Sequence, residues 1–76
     1  MKRSPSWFIK QYLELHSINQ SGFAELAGVQ QGMVSQWVND ERPVSPKAAL
    51  AIERNTDGAL SRFDLCPHVF ENDSAA

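Results

Sequence analysis

Apolar residues recur along this chain at helical spacing, in short groups separated by turn-forming residues. Ile9, Leu13 and His16 repeat at such intervals, with Phe8, Tyr12 and Leu15 on adjoining ridges, which predicts a first helix over 6–16 with Ser6 as its cap. Asn19 is a good cap for a second helix, Gln20–Ala27, whose apolar positions are Phe23, Ala24, Leu26 and Ala27. Gly28 stands where a left-handed residue ends a helix. A third helix, Gln31–Val38, carries Met33, Val34, Trp37 and Val38. After a polar loop over 39–44, Ser45-Pro46 starts a fourth helix, Pro46–Asn55, because serine caps and proline is tolerated at the first helical position. Ser61 starts a last short helix, Arg62–Leu65, stopped by Pro67. No alternating strand pattern interrupts the series, so the predicted fold is all-α, a bundle of four to five short helices.

Length and composition narrow this further. The 76 residues make one domain, expected over 1–70, with an acidic, frayed tail over 71–76. A domain of this size buries only about 60–65% of the surface of its unfolded chain, so its stability margin is thin. A hydrophobic fraction of 42% nonetheless suits a folded chain. Cys66 is the only cysteine, which excludes an internal disulfide and fits a reducing cytoplasm. The segment MKRSPSWFIK is basic but lacks the apolar run of a signal peptide or a membrane span, so the expected location is cytoplasmic.

The most informative stretch is Gln20–Asn39, QSGFAELAGVQQGMVSQWVN, which encodes a helix, a glycine turn and a second helix. Two helices joined at a steep angle by so short a turn need a small residue where they meet, and Ala24 supplies it. Val34 and Trp37, three apart, anchor one face of the second helix inward. The opposite face, Gln31, Gly32, Ser35 and Gln36, is then free to enter the DNA major groove, about 12 Å wide. Glutamine pairs in bidentate fashion with adenine, serine bonds several bases, and Gly32 permits close backbone approach.

The spacing of Ala24, Gly28, Val34 and Trp37 resembles that of Cro/cI-type helix-turn-helix regulators of the lambda-repressor-like fold. The run VSQWVNDERPVSPKAALAIERNTDGALSRFDLCPHVF resembles the YdaS-like branch, which includes small phage Cro-like regulators and putative antitoxins. The resemblance spans about 20–70. It implies a DNA-binding repressor that works as a homodimer on a near-palindromic operator, with the second motif helix reading bases. It further implies that Gln20 and Asn39 contact phosphate. Two positions depart from the family pattern: Asp40 stands where a small residue, often glycine, follows Asn39, and Gln30 replaces a serine or threonine cap.

Charge complicates this reading. Seven Lys and Arg against nine Asp and Glu give a net charge of −2, whereas DNA-binding domains are usually basic. Arg42 and Lys47 flank the loop after the third helix, so phosphate contacts are expected from them, with the acidic residues mostly elsewhere in the sequence. The apolar residues Leu60, Phe63, Leu65, Val69 and Phe70, crowded into a short segment, are expected to form the dimer seam.

The competing reading is an interaction module, such as an antitoxin that neutralises a toxin protein, with DNA binding secondary. Cys66, His68 and His16 do not match zinc-ligand spacing, no catalytic arrangement is present, and no cofactor or metal is expected.

Overall fold

The computed structural model describes residues 3–70. Its helices are α1 (Pro5–His16), α2 (Gln20–Ala27), α3 (Gln31–Val38), α4 (Pro46–Asn55) and α5 (Arg62–Leu65), with no strand among the described residues. The 71–76 segment, expected to fray, lies outside the described residues.

Helix starts follow the capping chemistry closely. Asn19 Oδ1 accepts the Gly22 amide at 2.8 Å, and Ser45 Oγ accepts that of Ala48 at 3.2 Å. The first helix begins one residue earlier than expected, and its cap is Ser4 rather than Ser6. Ser4 Oγ accepts the Trp7 amide at 3.3 Å, and Pro5 takes the first helical position. Ser4-Pro5 thus repeats the device of Ser45-Pro46, while Ser6 turns inward and is buried, its hydroxyl 2.9 Å from that of Ser4. Gln30, before α3, makes no side-chain cap bond.

Each of the four longer helices ends in the same left-handed reversal. The residue after the helix or its cap adopts positive φ: Ser17 (53°), Gly28 (73°), Asp40 (59°) and Asp57 (54°). In every case the next amide reaches back to a carbonyl five residues earlier. Ile18 donates to Leu13, Val29 to Ala24, Glu41 to Gln36 and Gly58 to Glu53, at 2.7–3.1 Å. Only one of these four positions holds the glycine that the conformation favours.

Ile9, Phe23, Ala24, Ala27, Val34, Trp37, Val44, Ala48, Ala49, Ile52, Leu60, Leu65 and Cys66 form the core. Helix α2 packs on both α3 and α4, and α1 covers α3 and α5. Thr56, itself buried, knits the end of α4 to the following segment. Its hydroxyl donates to the Ile52 carbonyl at 2.7 Å and accepts the Leu60 amide at 3.2 Å. Asn55 Nδ2 donates to the Leu26 carbonyl at 2.7 Å, joining the last residue of α4 to α2 across 29 positions. No helix among the described residues is long and apolar enough to cross a membrane.

Two outcomes follow for stability. Ser17→Gly and Asp57→Gly relieve left-handed strain, and each is expected to raise the unfolding free energy by roughly 0.5–1 kcal/mol in urea titrations. A loss of stability at both positions would contradict this account of the helix ends.

Burial pushes the Cys66 thiol above its ordinary value of 9.0, opposed by a hydrogen bond with the Val69 backbone. The folded state therefore holds that proton more tightly than the unfolded chain. Its contribution is complete below the unfolded pKa and is lost as pH rises towards the folded one. The urea midpoint of the wild type is expected to fall more steeply between pH 8 and 10 than that of Cys66→Ala. Parallel curves would show that the thiol plays no part.

Candidate nucleic-acid interface

Helix α3 is eight residues long, about 12 Å. Val34 and Trp37 are 0% and 3% exposed, so the helix is held from one side only. The opposite side carries Gln31 and Gly32, both exposed, and Ser35 and Gln36, both half-buried. Gln31 and Ser35 lie four apart, as do Gly32 and Gln36, and Gly32 and Ser35 lie three apart, so the four positions share one side of the helix. Among the described residues, no side-chain hydrogen bond or ion pair engages Gln31, Ser35 or Gln36. Their polar groups stand ready for an external partner.

Gly32 sharpens this picture. A Cβ built there meets nothing within 4 Å, and its φ lies outside the positive region where glycine is required. The fold itself thus gives no reason for glycine at this position, where it weakens the helix relative to alanine. Gly28 differs, since its φ of 73° serves the turn between α2 and α3.

Gln20, half-buried, opens α2. Asn39, Arg42 and Lys47 are exposed in the loop after α3 and at the start of α4. No hydrogen bond or ion pair to another described residue restrains the Arg42 or Lys47 side chain. Asp40 and Glu41 are also exposed in the same loop, so two acids offset two bases beside α3. This loop is therefore not a separately basic surface, contrary to the expectation that the acidic residues lie mostly elsewhere. Asp40 adopts the left-handed conformation of a helix reversal, which is best met by a small residue.

The expected dimer seam divides. Leu60 and Leu65 are 4% and 0% exposed and belong to the chain's own core, so their side chains have no surface left for a second copy. The crowding of apolar residues in this segment is answered mostly by packing within the chain. Phe63 and Phe70 are half-buried and Val69 is exposed. All three remain at least partly at the surface, and the Arg62 guanidinium lies 4.9 Å from the Phe63 ring centroid and 5.6 Å from that of Phe70. Arg62 is also paired with Glu53 at 2.9 Å.

Cys66 Sγ and His68 Nε2 are 3.9 Å apart, but among the described residues no group of three His, Cys, Asp or Glu is placed to hold a metal. Sequence reasoning did not find the Asn55–Leu26 bond. Its partners are 29 positions apart, and a backbone acceptor leaves no mark on side-chain pattern.

The family described as bacterial toxin YdaS matches residues 19–73. The regulatory protein cro of Pseudomonas phage D3 is 37% identical over 59 residues, which cover 78% of this chain and 81% of that protein. The chain belongs to the YdaS family. It is a Cro-like member of that family, a regulator rather than an enzyme. No solved structure matches it.

The α3 anchors carry the geometry of this interface. Trp37→Ala is expected to cost about 3–5 kcal/mol, a large part of the stability of so small a domain. Loss of the cooperative thermal transition is the expected observation. An unchanged melting temperature would show that α3 is held by something else.

Proposed function

We propose that the protein is a sequence-specific DNA-binding transcriptional repressor that reads base edges with Gln31, Gly32, Ser35 and Gln36. The observation that carries this reading is the outer stripe of α3: its polar groups are unengaged, and its glycine has no use within the fold. The cro protein of phage D3 is a regulatory protein by name, and its likeness to this chain supports the same role. Gln20, Asn39, Arg42 and Lys47 contact phosphate and set the register of the helix in the groove. Lys47 does so at the start of α4, where the helix dipole favours an anion.

Two copies would place their α3 helices in successive major grooves, roughly 34–36 Å apart, on a near-palindrome. The surface left for the seam is Phe63, Val69 and Phe70. Arg42 and Lys47 are the cationic contacts of each subunit, so a dimer makes about four charge-neutralising contacts. The slope of log affinity against log salt is then about −3 to −4. Specificity rests on neutral hydrogen bonds, each good bidentate pair contributing about 1–3 kcal/mol.

A second reading is a module that binds a protein partner, as an antitoxin binds a toxin. The net charge of −2 and the exposed Trp7, Leu15, Leu50 and Val69 favour it. The family's own description is of a toxin, which leaves the direction of such a partnership open to experiment.

Selection from random duplexes at low and moderate salt separates the two. Recovery of a two-fold motif is the expected result. Binding no tighter than that of a Gln36→Ala, Arg42→Ala double variant would sink the repressor reading.

Gly32→Ala gives a sharper check. It is expected to stabilise the free protein by roughly 0.5–1 kcal/mol while weakening binding to the selected duplex. Equal or tighter binding would remove Gly32 from the DNA contact.

A further inference from the structure

The left-handed turn at the end of α2 accounts for two of that helix's terminal carbonyls. The Val29 amide occupies the Ala24 carbonyl at 3.0 Å, and the Gly28 amide occupies that of Glu25 at 3.3 Å. The next carbonyl, that of Leu26, receives no bond from the turn. It is taken instead by Asn55 Nδ2 at 2.7 Å, from the far end of α4. The turn itself leads straight into α3, whose first residue is Gln31 and whose preceding residue, Gln30, supplies no cap. The start of α3 is therefore weakly held on its own account, and the turn before it gains an external tether.

Both helices joined by this bond carry, at their opposite ends, a residue proposed above to contact phosphate, Gln20 on α2 and Lys47 on α4. A bond at their C-terminal ends adds to the packing of α2 on α4 in setting the angle between them, and with it the spacing of the two contacts that flank α3. We propose that Asn55 is a positioning residue for the recognition helix: it clamps the end of α4 to the end of α2, and so sets how the turn delivers α3 to DNA. The affinity readout of this proposal rests on the DNA-binding reading above. The clamp itself is testable without DNA.

Asn55→Ala removes the donor. Asn55→Asp keeps the shape but turns an acceptor towards the Leu26 carbonyl. Amide hydrogen exchange followed by NMR, together with anisotropy titrations of the selected duplex, reads both effects. A net hydrogen bond of ordinary strength corresponds to about a three- to tenfold change. The Gly28 and Val29 amides are expected to exchange faster by about that factor in Asn55→Ala, and faster still in Asn55→Asp, with the Cys66 amide in α5's last turn unchanged. Affinity should fall by a similar factor on cognate and non-cognate duplexes alike, since the clamp orients phosphate contacts and touches no base.

Unchanged turn amides in both variants would overturn the proposal. So would a uniform acceleration across all helices, which marks global destabilisation, or an aspartate variant equal to wild type, which marks packing alone. If the wild type binds no duplex, the DNA reading fails by itself, and the exchange data still decide the clamp.

Discussion

Everything at the interface depends on one packing arrangement: Val34 and Trp37 sink into the core and hold α3 by a single side. The small residues Ala24 and Ala27 of α2 let the two helices approach closely, and Phe23 fills the space behind them. A helix of eight residues is too short to persist in water alone, so tertiary packing creates it. The polar stripe on its other side is positioned by that burial. Its hydrogen-bonding groups are displayed rather than consumed within the protein.

Much of this order was legible in the chain. The bounds of α2, α4 and α5 agree with their capping residues, and those of α3 with the three-to-four spacing alone, since both signals are local. The start of α1 differs because Ser4-Pro5, a serine–proline pair like Ser45-Pro46, outcompetes Ser6 as the cap. Among the helix reversals, Gly28 announces itself, whereas Ser17 and Asp40 do not. Their conformation is imposed by back-bonded amides and the packing beyond the helix, which override the preference of the residue.

The anchored face of α3 and its free stripe were also legible, because helical periodicity decides them once one face is known to be inside. The C-terminal segment was not. Leu60, Phe63, Leu65, Val69 and Phe70 look alike as apolar letters, and only the return of the chain over α1 and α4 sorts core from surface. Thr56 makes that return possible by satisfying both the helix it leaves and the segment it enters. Net charge is too coarse a guide here: a sum of −2 conceals a loop in which Asp40 and Glu41 stand next to Arg42, so attraction to phosphate there is partly cancelled.

The indole N–H of Trp37 is buried with no acceptor among the described residues. An unanswered donor of this kind carries a cost of about 1–3 kcal/mol in a protein whose total margin is only about 5–15 kcal/mol. Such a chain visits its unfolded state often enough for cellular proteases to find it. Its abundance then responds steeply to small changes in sequence or temperature.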